Sequence, residues 1–263
     1  MSANTPTPKV FTADELDEWL EQRNLKTKLQ PLIAHELPLD RKLLAQLPLG
    51  PTLRSLLERR QADIIPTLRA QWAGIESEPI AALATRLLDL SPAAVIVDPE
   101  CITRLPKNGP KGDPLFSVAA KAWLELRHES GDFGLFLGEP LARDAVLAAL
   151  AAAEIAPQSA IAELFATFGE LRDSPPRQSG NFELPSQDHD YEVDHDWQSA
   201  RVIYTARNGD EVLVNALGDT AWGVLETREV RKLGRFEDLL RIYLANPMFP
   251  VLDSWSSEEI ENP

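Results

Sequence analysis

An alternating run of acidic residues in the second half of the chain is the pattern best suited to chemistry. Acidic side chains occupy every even position of this acidic run, namely Asp188, Asp190, Glu192, Asp194 and Asp196. In an extended chain successive side chains point to opposite faces, so these five carboxylates would line one side at a spacing of about 7 Å. Like charges at that spacing repel one another. The acidic run therefore predicts a cationic partner.

Three interpretations of the acidic run stay open. The first is a solvated loop between two strands. The second is a surface that pairs with lysines and arginines of a basic partner, with Tyr191 and Trp197 as aromatic anchors. The third is a divalent metal site, although an EF-hand loop needs glycine and glutamate where this run has Val193 and Ser199. We expect the second and no metal. The predicted partner-binding residues are Asp188, Asp190, Tyr191, Glu192, Asp194, Asp196 and Trp197.

The motifs of common enzyme classes are absent from the sequence. It contains no Gly-x-Ser-x-Gly turn, no glycine-rich phosphate loop and no paired cysteines. His35-Glu36 lacks the second histidine of a zinc protease helix, and two of the four histidines lie within the acidic run. We therefore predict a protein that is not an enzyme, with no catalytic residues and no cofactor.

The negative charge is concentrated in the second half of the chain. The net charge is −15, and residues 1–150 hold 17 basic and 20 acidic residues whereas residues 151–263 hold 9 and 21. Such a field repels nucleic acid and anionic membranes and attracts basic surfaces. We expect a basic protein partner on the second half, with no nucleic acid or membrane partner.

The ends and the cysteine content predict a cytoplasmic protein. No stretch reaches the roughly 18 apolar residues of a membrane span. Residues 1–9 lack the apolar core of a signal peptide. Cys101 is the single cysteine, which agrees with a reducing compartment.

The first half of the sequence predicts helices separated by prolines. Thr12 and Glu15 form a capping box that opens the first helix. Val118, Ala122 and Leu126 are spaced four apart, which predicts another helix around them. We therefore expect a mostly helical first half.

The second half predicts two helices, several strands and a closing helix. Asn208-Gly209 lies between the apolar stretches Val202–Thr205 and Glu211–Val214. Because Asn-Gly tolerates positive φ at both central positions, this is a strong hairpin signal. The apolar spacing over Arg235–Ala245 predicts the closing helix. This combination is typical of an α+β domain.

The order of these elements resembles the SUKH superfamily, which includes a fungal cell-wall-assembly regulator and many bacterial immunity proteins. The residues that carry the resemblance are Leu164–Gly169 at a helix end, Asn208-Gly209-Asp210 in the hairpin, Gly218, Trp222 and Phe236–Leu240. The family often has a double glycine where this chain has Gly169-Glu170. The resemblance implies a binding function without catalytic residues.

From pattern and resemblance together we predict the organisation and function of the chain. We expect an α+β fold with a mostly helical N-terminal domain over residues 1–135, a SUKH-like domain with a helix-flanked antiparallel sheet over 136–250, and a flexible acidic tail over 251–263. The expected function is immunity: the protein binds and neutralises a cognate secreted toxin, such as a basic nuclease domain, in the cytoplasm. A scaffold or regulator of a host pathway is the alternative.

Overall fold

The computed structural model describes residues 8–23, 29–105, 115–131, 134–173, 175–178, 180–187, 189, 191, 193–206 and 208–245. The strands are β1 (Lys9–Thr12), β2 (Ile33–Glu36), β3 (Ser91–Leu105), β4 (Leu115–Arg127), β5 (Gly134–Leu137), β6 (Leu171–Arg172), β7 (Asn181–Gln187), β8 (Arg201–Thr205), β9 (Glu211–Val214), β10 (Asp219–Gly223) and β11 (Val230–Arg235). The helices are α1 (Ala13–Gln22), α2 (Arg41–Gln46), α3 (Pro51–Leu57), α4 (Gln61–Trp72), α5 (Glu78–Leu87), α6 (Arg143–Ala152), α7 (Ser159–Phe168) and α8 (Phe236–Ala245), and a 3-10 helix spans His195–Trp197.

These strands form one 11-stranded sheet that runs through both halves of the chain. Its order is β11-β10-β9-β8-β7-β6-β5-β4-β3-β2, and β1 pairs with β4. Neighbouring strands run antiparallel. The sheet continues through β5 across residue 135, where we predicted a domain boundary; the domain division itself stays a prediction. The predicted tail over 251–263 lies outside the described residues.

The prediction of a helical N-terminal region is wrong, because the longest strands of the sheet, β3 and β4, lie there. Val118, Ala122 and Leu126 belong to β4 and not to a helix. Residues four apart share a face in a helix of period 3.6 and equally in a strand of period 2, so their spacing fits both structures. Leu124, two residues from Ala122, is buried in the same core, and the strand places it there.

Core-facing apolar residues alternate with outward-facing residues along the strands. This alternation gives the sheet one apolar face, on which helices α2 to α8 pack. Residues of these helices and of the sheet share a single hydrophobic core. The side chains between the core residues must point the opposite way. We call the opposite side, which faces away from α2–α8, the second face. Strand residues with this orientation are Lys121, Trp123, Arg172, Asn181, Glu183, Glu211, Leu213 and Ala221.

Two glutamates beyond residue 135 cap helical segments that precede it in the chain. The Glu139 carboxylate accepts hydrogen bonds from the backbone N–H groups of Thr52 (2.7 Å) and Leu53 (3.0 Å) at the start of α3. Glu163 of α7 accepts in the same way from Glu76 (2.8 Å) and Ser77 (2.9 Å), just before α5. Helix N-termini have N–H groups without intrahelical acceptors, so these carboxylates stabilise the helices and join the two halves.

Local predictions for the two halves are confirmed at several points. Thr12 and Glu15 form the capping box at the start of α1. The Asn208-Gly209 turn joins β8 to β9, with Gly209 at φ +90°. The closing helix is α8. None of the helices described is long and apolar enough to cross a membrane.

Candidate functional site

The acidic run lies between β7 and β8, and the structure describes part of it. Asp194 and Asp196 are exposed, and 83% of the Asp196 side chain is accessible to solvent. The predicted binding residues Asp188, Asp190 and Glu192 lie outside the described residues. The two described carboxylates of the run are therefore available to a partner from solution.

Tyr191 and Trp197 attach the acidic run to the second face of the sheet. Tyr191 is 6% exposed and Trp197 4%, and they form a small second core with Ala200, Val202, Leu213 and Ala221. The Tyr191 hydroxyl donates a 3.2 Å hydrogen bond to the carbonyl of Gly223. Its ring covers Gly223 so closely that a Cβ there would lie 2.7 Å from the ring. Both aromatic rings thus hold the segment in place, and its binding role stays a prediction.

The surroundings of the Tyr191 hydroxyl are acidic. Burial raises the pKa of Tyr191 well above its ordinary value, and the nearby Glu211 and Asp210 carboxylates raise it further. The hydroxyl therefore stays protonated at neutral pH and remains a hydrogen-bond donor.

A groove of about 420 Å³ lies on the second face and reaches Glu211, whose carboxylate is also near Tyr191. It is bordered by strands of both halves, including β3, β4, β7 and β9. Four of its lining residues are carboxylates and two are arginines: Asp98, Glu100, Glu183 and Glu211 against Arg172 and Arg177. The lining therefore carries an excess of negative charge.

Arg172 and Glu183 of the groove lining belong to a cluster of four charged side chains. Glu170 pairs with both Lys121 and Arg172, and Arg172 also reaches Glu183 at 3.0 Å. Burial opposes ionisation of Glu170, but its two cations outweigh burial and lower its pKa. Partial burial and the neighbouring Glu170 raise the pKa of Glu183, although 43% of its side chain is exposed. Nearby cations therefore compensate the charge of Glu183 less well than that of Glu170.

Two further ion pairs lie at the opposite side of the groove. The Arg177 Nε donates to Asp98 at 2.8 Å, and the Arg177 backbone has φ +70°, a conformation that a non-glycine residue rarely adopts. Glu100 pairs with Arg23 and accepts a 2.8 Å hydrogen bond from the backbone N–H of Gln30. The carboxylates of Asp98 and Glu100 are thus already occupied by partners within the chain.

Trp123 of β4 lies in the groove lining beneath the charged cluster. It is fully buried, and the Lys121 Nζ and the Arg172 guanidinium carbon each lie 5.4 Å from its ring centroid. Its indole N–H donates to no acceptor among the described residues. A buried donor without an acceptor costs about 1–3 kcal/mol. The groove lining therefore includes a buried indole whose N–H has no acceptor among the described residues.

Cys101 also lines the groove, and the structure gives it the environment of an unreactive thiol. Burial raises the pKa of Cys101 above its ordinary value. The thiolate is the nucleophilic form of cysteine, so a raised pKa lowers reactivity. Among the residues described, no group of three or more His, Cys, Asp or Glu side chains is arranged to hold a metal ion.

Sequence reasoning missed the groove, although β4 carried a signal. Polar or aromatic residues alternate with apolar ones from Lys121 to Arg127, as in a strand with one buried face. Glu170, Arg172 and Glu183 gave no such signal, because they lie in short or irregular segments. Only the pairing of β4 through β7 brings these groups together.

Comparisons with protein-family models, with curated proteins and with solved structures found no match to this chain.

Proposed function

We propose that this protein is a non-enzymatic binding protein that captures a basic partner protein on the second face of its sheet. The observation that carries the proposal is the position of the acidic groups. The exposed Asp194 and Asp196 belong to a segment that Tyr191 and Trp197 attach to the same face as the carboxylate-rich groove. Glu211 connects the two features, because it lines the groove and its carboxylate also lies near Tyr191.

The charge of the protein favours a positively charged partner. Both arginines of the groove lining pair with carboxylates of the chain, Arg172 with Glu183 and Arg177 with Asp98. The net charge of −15 already counts these arginines. A negative surface of this kind accelerates encounter with a positive one and disfavours wrong partners.

The partner class that we propose is a secreted bacterial toxin, which the protein neutralises in the cytoplasm. This part of the proposal rests on the SUKH resemblance of Leu164–Gly169 and of the Asn208-Gly209-Asp210 hairpin. A toxin that cleaves nucleic acid needs a basic surface to attract a polyanion. An acidic binding protein would cover that surface and block access of the substrate.

Co-expression with candidate basic toxin domains tests the proposal. We expect the protein to restore growth of bacterial cells that express the toxin, and Asp194→Lys/Asp196→Lys to weaken the purified complex about tenfold or more. The matched control is Asp17→Lys/Glu21→Lys on α1, which changes net charge equally at exposed positions. Equal loss in both variants would show that overall charge matters and that the acidic run is not the interface. Tight binding without protection of the cells would favour the scaffold or regulator alternative.

A further inference from the structure

We infer that the groove receives one arginine side chain of the partner protein. In this arrangement Glu183 pairs with the guanidinium, and the Trp123 indole N–H donates to a main-chain carbonyl beside that arginine. The inference rests on the proposed function for the identity of the partner as a protein. It adds the side chain that the partner must present and the place where it binds.

Glu183 is the acceptor because its carboxylate is less occupied than its neighbours. Asp98 accepts two hydrogen bonds from Arg177 and another from the backbone N–H of Glu100. Glu183 contacts Arg172 through Oε1 at 3.0 Å, shares that arginine with Glu170, and has one further hydrogen bond, with the Asn181 side chain. With 43% of its side chain exposed, Glu183 can accept a further donor from the groove.

Trp123 supplies the second and independent observation. Its side chain is fully buried, it lines the groove, and its N–H has no acceptor among the described residues. A carbonyl oxygen of a bound segment would satisfy this donor and recover the free energy that the unpaired N–H costs. A free metal ion or a simple cation would leave the N–H unsatisfied, so the ligand must carry an acceptor as well as a positive charge.

Arginine fits this pair of groups better than lysine. Its planar guanidinium can bind a carboxylate through two parallel hydrogen bonds and can stack on flat groups, whereas the lysine ammonium is a compact and strongly hydrated charge. The groove volume of about 420 Å³ lies near the lower end of the roughly 300–1,000 Å³ of ligand pockets. That space suits one side chain with its adjoining main chain, and it is too small for a helix about 10 Å across.

A peptide titration followed by nuclear magnetic resonance tests the inference on the whole protein. The probe is acetyl-Gly-Gly-Arg-Gly-Gly-amide, and the control probe replaces arginine by citrulline, which has nearly the same shape and no charge. The readout is the indole N–H signal of Trp123, identified by its loss in Trp123→Phe. We expect the arginine peptide to shift this signal at millimolar concentrations or below, and the citrulline peptide to bind at least about tenfold more weakly.

Two protein variants locate the site. Glu183→Gln should weaken arginine-peptide binding about tenfold or more, while Glu58→Gln, an exposed glutamate after α3, should leave it unchanged. The citrulline comparison needs no variant and therefore decides the question even if Glu183→Gln unfolds. Equal shifts with both peptides, no shift with either, or full binding by Glu183→Gln would each overturn the inference.

Free arginine separates a docking site from a small-molecule site. If free arginine shifts the Trp123 signal at the same concentration as the peptide, the groove is a small-molecule site and the docking inference is wrong. The peptide test also separates this inference from the proposed function. A failed titration beside intact toxin neutralisation would overturn the arginine site alone, whereas a successful titration without any toxin protection would overturn the proposed function.

Discussion

Removal of the Glu170 charge should destabilise the protein more than removal of the Glu183 charge. Glu170→Gln leaves Lys121 and Arg172 with Glu183 as the remaining carboxylate of the cluster. Breaking a buried ion pair by removing one partner costs about 3–5 kcal/mol. Lys121 is 40% exposed and regains hydration, and Arg172 keeps Glu183 at 3.0 Å. These effects reduce the expected loss in free energy of unfolding to about 2–3 kcal/mol.

Urea unfolding at pH 7 and 25 °C measures this loss as a lower transition midpoint with an unchanged slope. Glu183→Gln is the matched control, and because 43% of that side chain is exposed its effect should stay below about 1 kcal/mol. The double variant Lys121→Met/Glu170→Gln leaves the neutral pair of Arg172 and Glu183, so it should be more stable than Glu170→Gln alone. A change under about 0.5 kcal/mol for Glu170→Gln would refute the reasoning, because substitutions of ordinary surface residues change the free energy of unfolding by about that much or less.

Three further predictions concern the acidic run, the groove and the first helix. Gly223→Ala should destabilise the protein by about 1–3 kcal/mol, since its Cβ would lie 2.7 Å from the Tyr191 ring; Gly74→Ala, with open space around it, is the control in thermal unfolding. Because the folded pKa of Glu183 is raised, its carboxyl lowers stability as pH rises from the ordinary glutamate pKa of about 4.3 through the raised value. In urea titrations from pH 4 to 8, the free energy of unfolding of Glu183→Gln should therefore rise relative to that of the wild type; a difference that does not change with pH would contradict the cause given. Thr12→Ala removes the capping box and should cost about 1 kcal/mol by the same measurement, and an unchanged midpoint would show that the cap is not stabilising.

The local elements of the second half could be predicted because their signals are local. The Asn208-Gly209 turn is a local signal because glycine tolerates the positive φ that Gly209 adopts, whatever lies elsewhere in the chain; Asn208 has no positive φ. The spacing of apolar residues over Phe236–Ala245 likewise defines one helical face. The capping box at Thr12 and Glu15 depends only on residues three apart.

The candidate site was predictable only in part. The sequence singled out the acidic run, and Asp194 and Asp196 are indeed exposed. The burial of Tyr191 and Trp197 could not be read from the sequence, because an aromatic residue among carboxylates has the same pattern whether it faces a partner or the sheet. Their position depends on the second face that β8, β9 and β10 provide.

The sequence by itself determined the Asn208-Gly209 turn, the start of α1 at its capping box, the net charge and the concentration of that charge in the second half. Tertiary structure alone decided that β4 is a strand, because a spacing of four satisfies helical and extended periodicity alike and only pairing with β3 and β5 distinguishes them. The existence of the groove likewise depends on tertiary structure. Lys121, Glu170 and Glu183 are far apart in sequence, and they meet because antiparallel pairing sets β4 through β7 side by side.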